Sequence, residues 1–549
     1  MIRMRGGFRT YFLAAAVAVS IQARGAFSES PDLRRQVEAG KLPPLDNRLP
    51  TAPLVVTPLE KPGKYGGTWR MVVAGYDDAA ALSRSLAYEH LVRWDPNWSR
   101  VAPNLASGWT VNTNSTVYRF QLRPGMHWSD GHPFTARDIV AWMDDVARDP
   151  EVTTVPPGWL VVGGQLPQCT APDDFTVEFQ FPARNALFLE QLAGMRANEL
   201  TRYPSHYFRK LHRRHNPEGA AELMRRTGLP WAEAFKTAYT PWTWRNVGVP
   251  TLDAWILATA YAPGTPTVVA VRNPYYWKVD TLGRQLPYLD EVRVDVVADN
   301  SELLKRAVAG QIDYQRENFN NVASTTALRE AERAGRIRTV GLIPSAPNPI
   351  AICLNLVHRD LVMRKVLSDR NVRIALSEAI DRQTIIQQLF GGEGRPWQIA
   401  PRPESPYHNR HLGEQYTEFK PKISTRRLEE AGLHASEPGG VRKLPDGRSF
   451  HLKIAVPGPD ILVVRMILEG VKRDWLAVGV AMDWETLPRE EFYSVVDQNR
   501  HDGAIWSSGG GYAATLEPEY FVPVTFERLG ALRVFYAVPW ARWFIDPLA

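Results

Sequence analysis

By type and spacing, the residues of this 549-residue chain that suggest chemistry are three histidines, an acidic pair and a glycine run. His206, His212 and His215 fall close together, but no carboxylate or cysteine completes a ligand set around them. No metal centre is expected. Glu490-Glu491 supplies two carboxylates, yet hydrolysis needs them on opposite sides of a scissile bond, and adjacent acids read as a solvated face. Gly509-Gly510-Gly511 follows an apolar segment ending at Trp506, without the spacing of a dinucleotide fingerprint and with no helix before Pro518. It reads as a loop in a ligand cleft or as an ordinary turn. The chain has no glycine–lysine phosphate loop, no zinc-protease helix and no Gly-x-Ser-x-Gly elbow. We therefore expect no catalytic residue, no cofactor and no enzyme.

Aromatic content points to binding instead. The chain holds 18 Trp and 19 Tyr, some in segments that read as loops. Their rigid apolar faces and single polar tips suit stacking on sugars or gripping peptide side chains, although most are expected to fill cores.

The elements that must position such residues alternate irregularly. Trp69 to Ala74 reads as a first strand, after an arm (26–63) whose prolines predict an extended path without a helix. Tyr118, Phe120 and Leu122 alternate with polar residues, as do Val177, Phe179 and Phe181, and Val292, Val294 and Val296 make a further strand. Thr135 with Asp138 forms an approximate capping box opening one helix. Another opens near Asn300 or Ser301 and ends at Gly310, and a third runs from Asn371 to Gly391-Gly392. Mixed strands and helices without strict alternation predict a multi-lobed α/β protein with mixed sheets, and the length predicts two or three lobes.

Residues 1–25 read as a cleavable secretory signal. Arg3, Arg5 and Arg9 precede an apolar stretch from Tyr11 to Ile21, and Ala23-Arg24-Gly25 offers small residues for cleavage. Without these residues the formal charge falls from +6 to +2, which leaves no electrostatic footprint for nucleic acid. No later apolar run has spanning length, so the mature chain is expected to be soluble. Cys169 and Cys353 read as two separate buried residues, although an exported chain permits pairing.

Several segments, taken in order, resemble the large peptide-binding class of extracytoplasmic solute-binding proteins of ABC importers (oligopeptide- and dipeptide-binding-protein-like, family 5). They are Leu122-Arg123-Pro124-Gly125-Met126-His127-Trp128-Ser129-Asp130-Gly131 with Pro133-Phe134-Thr135-Ala136-Arg137-Asp138; Ala270 to Trp277; Ala309 to Asp313; Leu354-Asn355; and Asn371 to Ser377 with Ala379 to Arg382. The arm, with Gly40-Lys41-Leu42-Pro43-Pro44 and Lys64-Tyr65-Gly66-Gly67-Thr68, is similar to a longer subgroup. The likeness runs from about residue 29 to 545.

The resemblance implies a type II-like two-lobed clamshell with an extra subdomain in the first lobe. The expected division is lobe I at 64–88 and 172–345, the subdomain at 89–171, and lobe II from 346. It also implies an oligopeptide or similar oligomer enclosed between closing lobes, delivery to a permease in the inner membrane, and a periplasmic location. An oligosaccharide-binding member, an exported peptide or glycan hydrolase and a receptor reporting to a sensor are the alternatives. Expected ligand contacts are Tyr76, Trp159, Asn355, Trp506, Gly510 and Tyr512, while Arg373 and Asp381 are expected to make ion pairs.

Two departures bear on the ligand. Peptide-binding members often place an acidic residue shortly after a second-lobe tryptophan, against the peptide amino group. Here Trp506 to Leu516 holds no Asp, and Glu517 sits beside Pro518. That favours a neutral oligomer. Members also usually continue beyond a segment like Pro539 to Phe544 and return to the first lobe, so a shortened product is the expectation here.

Overall fold

Three four-stranded sheets organise the chain. In this computed structural model the described residues run from 27 to 545, omitting 77–78, 155, 240–243, 317–318, 320–321, 459–461 and 524–533. The secretory leader expected at 1–25 lies outside them.

The valine alternation at 292–296 forms the centre of the first sheet. Glu291–Val297 pairs in parallel with Thr68–Ala74 and antiparallel with Thr267–Arg272, which Trp255–Leu257 flanks. The second sheet is wholly antiparallel, in the order Ala106–Val111, Val117–Leu122, Thr176–Gln180, Gln168–Asp173. It therefore reaches past the boundary at residue 171 expected from the sequence. Its core, with Phe120, Trp128, Trp142 and Phe188, continues into the helices Pro217–Thr227 and Trp231–Ala238. The third sheet is mixed, ordered Ala351–Leu354, Gly503–Trp506, His451–Pro457, Ala481–Leu487. It packs against the helix Leu462–Ala477 through Leu468 and Trp475. No helix among the described residues is long and apolar enough to cross a membrane.

Thr135 and Asp138 form the expected capping box on Ala136–Trp142. Asn300–Val308 opens at Asp299, one residue early, and Gly310 beyond it takes a positive φ of 70°. Two helix expectations are corrected. The long helix read from Asn371 to Gly391 is two, Arg370–Glu378 and Arg382–Phe390. Asp381 interrupts it, because its carboxylate accepts from Thr384 N–H (3.0 Å) and Thr384 Oγ (2.7 Å) as the cap of the second. In the arm, Pro31 starts a helix (Pro31–Glu38) instead of preventing one: it sits in the first turn, where no N–H is needed, behind the Ser30 cap.

The arm lies on the first sheet's side of the molecule. Leu54–Val56 pairs in parallel with Lys278–Asp280. Arg48, 0% exposed, pairs with Glu29, and its guanidinium also donates to the carbonyls of Pro43 and Pro274. Both cysteines are free, and burial pushes the Cys353 thiol up to about 12.

A buried polar cluster lies where the core of the second sheet meets the residues around the first sheet. Lys278 Nζ meets Glu89 at 2.8 Å, the same carboxylate accepts from Tyr276 Oη (2.6 Å) and Asn104 Nδ2 (2.9 Å), and Arg202 lies 3.8 Å from Asp253. His90 sits among them with Nδ1 3.3 Å from the Leu192 carbonyl. Burial, reinforced by Arg202, lowers His90 to about 3. Burial raises Asp253 to about 6 against the opposing pull of Arg202.

The two groups act oppositely on stability. The contribution of neutral His90 is present above its unfolded value near 6.5 and is lost as pH falls towards 3. That of protonated Asp253 is complete below about 3.9 and is lost as pH rises through 6. Between pH 7 and 5 the first costs about 2 kcal/mol and the second returns about 1. Asp253→Asn removes the return, so its urea midpoint is expected to fall further over that interval than the wild type's. Parallel pH profiles for the two proteins would show that Asp253 does not titrate there.

Candidate functional site

The hairpin Val92–Trp94/Val101–Pro103 carries a stacked pair of tryptophans, Trp94 and Trp98. Its tip is set by Asp95, whose carboxylate accepts from Ser99 N–H (2.7 Å) and Ser99 Oγ (2.6 Å). These bonds hold Asp95 below the usual carboxylate range. Trp98 turns through a left-handed conformation (φ 56°), folds back over Trp94 with centroids 5.6 Å apart and planes 8° from parallel, and stays 49% exposed. Beneath, Tyr88 Oη accepts from Trp94 N–H at 3.2 Å and Arg93 lies over the Tyr88 ring at 4.7 Å.

The opposite wall comes from the loop after the strand Gly503–Trp506. Gly510 takes a positive φ of 68° and its N–H donates to the Glu517 carboxylate. Gly511 lies so close to the Ser345 carbonyl that a Cβ would stand 2.2 Å from it, which only glycine permits. Asn348 N–H donates to Ser508 Oγ (2.9 Å) and Ser405 Oγ donates to the Tyr512 carbonyl (2.6 Å). So clasped, the loop presents Tyr512. Its hydroxyl donates to the Trp98 carbonyl at 3.1 Å, and its ring stands 6.3 Å from the Trp98 ring at 79°.

The structure thus joins Tyr512 and its supporting Gly510 to Trp98, a residue sequence reasoning missed. The signal was present as Trp94-Asp95-Pro96-Asn97-Trp98, a turn-forming triplet between two tryptophans. The other expected contacts lie elsewhere. Tyr76 is half-buried on the first sheet, donating to the Thr265 carbonyl (3.0 Å) and packing on Tyr261. Trp159 is 3% exposed and packs on Phe188 inside the second sheet's core. Asn355 is 1% exposed, and its amide is used by Asn499, the His501 carbonyl and Val357 N–H. Trp159 and Asn355 therefore pack and brace. Arg373 caps a helix end through the carbonyls of Leu367 and Ser368, and Asp381 caps a helix start; neither makes the expected ion pair among the described residues.

Trp506 is wedged among Phe492 (5.9 Å), Tyr493 (5.9 Å) and Phe535 (5.7 Å), with Arg489 over its ring. Trp506→Ala is expected to cost the ligand-free protein about 2 kcal/mol, below the range for fully buried tryptophan because the side chain is half-buried. An unchanged melting temperature with weakened ligand binding would return Trp506 to the cleft.

The clustered histidines are engaged separately. His206 Nε2 meets Asp130 (2.7 Å), His212 Nε2 meets the Asp145 carbonyl (2.9 Å) and His215 meets the Asp145 carboxylate (2.8 Å). Among the described residues no three His, Cys, Asp or Glu side chains converge to hold a metal ion.

Comparison with known proteins fits a binding cleft. Residues 100–526 match the family described as "Bacterial extracellular solute-binding proteins, family 5 Middle". A solved oligopeptide-binding protein OppA is 34% identical, with a TM-score of 0.69 over 94% of this chain and 80% of that one. The periplasmic binding protein MelB of Agrobacterium fabrum C58, solved with stachyose, shares the fold at a TM-score of 0.67, with 24% identity, over 92% of this chain and 77% of that one. The periplasmic alpha-galactoside-binding protein of Rhizobium meliloti (strain 1021) is 26% identical over 508 residues, which is 86% of this chain and 68% of that relative. The chain belongs to the family 5 bacterial extracellular solute-binding proteins: it has their α/β periplasmic-binding-protein fold with mixed sheets, and it is the non-enzymatic substrate-binding component of an ABC importer.

Proposed function

We propose that this protein captures a neutral oligosaccharide of the α-galactoside class between its lobes and hands it to the permease. The observation that carries the reading is the Trp94–Trp98 stack, whose outer indole is 49% exposed beside Tyr512. A flat apolar ring suits the C–H face of a sugar, with a second ring as a side wall. No aspartate stands in the loop to receive a peptide amino group, and the Glu517 carboxylate is engaged by Gly510 N–H. The names of the Rhizobium relative and the stachyose complex agree with a sugar ligand. The likeness to OppA favours a second reading, capture of an oligopeptide through its backbone.

Titration calorimetry of the purified protein with stachyose and with a tetrapeptide separates them. The expected result is one stachyose bound per chain, recovered intact, and no heat with peptide. Binding of the tetrapeptide alone would replace the sugar reading with the peptide one. We further propose export by a signal cleaved after Gly25, which the intact mass of periplasmic protein tests.

A further inference from the structure

A cavity of about 810 Å³ lies within the second half of the chain, every wall residue falling between Pro347 and Tyr536. It shares none of the Trp94, Trp98 and Tyr512 surface. Ile352, Leu354, Ile380, Ile385, Phe390 and Val471 are among its walls. Two elements face it in an unusual way. The helix Arg382–Phe390 carries Ile385, Ile386, Leu389 and Phe390, yet buries none of its residues. The strand Ala351–Leu354 is apolar and only half-buried throughout. Interiors normally pack such side chains to crystal-like density. Here they line a space of the size that small-molecule sites have.

The charged groups on this space are unbalanced. Glu393 is taken by Arg329 and Glu404 by Arg402. Arg373, Arg382 and Arg395 also line it, and none has a carboxylate within 4.0 Å among the described residues. Arg373 donates to two carbonyls, Arg382 to the Ser377 carbonyl (2.7 Å) and Oγ (2.9 Å), and Arg395 lies over the Trp397 ring at 4.5 Å. Burial lowers Arg373 against the pull of Asp369, and it brings Arg382 down to about 10 with no opposing charge, so Arg382 stands partly stripped of water without a counter-charge. A carboxylate would restore what burial removes.

We propose that this cavity is a second binding site, for an amphipathic anion: an aliphatic carboxylate whose chain lies along Ile352, Ile385 and Phe390 and whose head group meets Arg382. The proposal does not depend on the sugar reading, since it uses different residues and a different ligand class.

The test displaces cis-parinaric acid from the delipidated full chain with dodecanoate and, separately, with 1-dodecanol, which has the same chain and no charge. Dodecanoate is expected to compete at least tenfold better than the alcohol. Arg382→Gln should remove that advantage, Ile385→Trp should fill the space and abolish parinarate binding, and Trp98→Ala should leave it intact. No saturable parinarate binding, or equal competition by acid and alcohol on the wild-type protein, overturns the proposal. The wild-type comparison decides even where a variant fails to fold. Stachyose calorimetry on the same preparation reports separately on the sugar site.

Discussion

Arg48→Ala is expected to destabilise the protein by about 3–5 kcal/mol, the range for removing one partner of a buried ion pair. Arg48 is fully buried, and its guanidinium gathers Glu29, the carbonyls of Pro43 and Pro274, and Gln285 into one knot. Truncation leaves the Glu29 carboxylate buried without its cation, while the Pro274 carbonyl keeps the Gln285 amide as a donor. Arg272 does not substitute, since it is already committed to Ser30, Asp290 and the Tyr288 carbonyl. The arm is thus fastened by charge beside a small apolar cluster, Leu45 and Leu49 with Val279 and Phe27. Urea unfolding followed by tryptophan fluorescence measures the loss, and limited proteolysis should show the arm cut first. Arg48→Met combined with Glu29→Leu removes both charges and is expected to recover most of the stability, because the penalty belongs to the unpaired charge and not to a missing attraction. A single variant within 1 kcal/mol of wild type would mean that the arm contributes little to the fold.

Much of the fold was legible because its signals are local. The alternation at 118–122, 177–181 and 292–296 became strands, and Thr135 with Asp138 became a capping box. Local chemistry misled where one residue type serves two purposes. Proline breaks helices in general but starts them in the first turn, as Pro31 does. Asp381 lies in a run of helical periodicity, yet its carboxylate caps the next helix and so splits the run. The site was less legible for a different reason. Tyr512 and Trp98 are 414 positions apart, and no periodicity links a hairpin tip to a glycine-rich loop. Trp159 and Asn355 show the converse: residue types suited to ligands are equally suited to cores and braces, and their neighbours here are those of a core and a brace.

Trp98→Ala is expected to weaken binding of the captured ligand by about 2–3 kcal/mol, or roughly 30- to 150-fold in Kd. The argument rests on exposure and geometry together. A tryptophan kept 49% exposed, stacked on a second indole and fixed by an Asp95-pinned turn has lost its side-chain freedom before any ligand arrives. What a ligand gains there is therefore mostly contact. Truncation should leave the melting temperature of the empty protein close to wild type, because little core is removed. The left-handed backbone at Trp98 complicates alanine, so Trp98→Asn, which tolerates positive φ, serves as the companion variant and should weaken binding as much. Tyr512→Phe should have a smaller effect, about 0.5–1.5 kcal/mol, since it deletes one hydrogen bond between the glycine loop and the Trp98 hairpin and keeps the ring. If both Trp98 variants bind as tightly as wild type, the stack is an ornament of the hairpin and the ligand lies elsewhere in the cleft. If Tyr512→Phe proves the more damaging, the bond to the Trp98 carbonyl matters more for joining the loop to the hairpin than the indole does for holding the ligand.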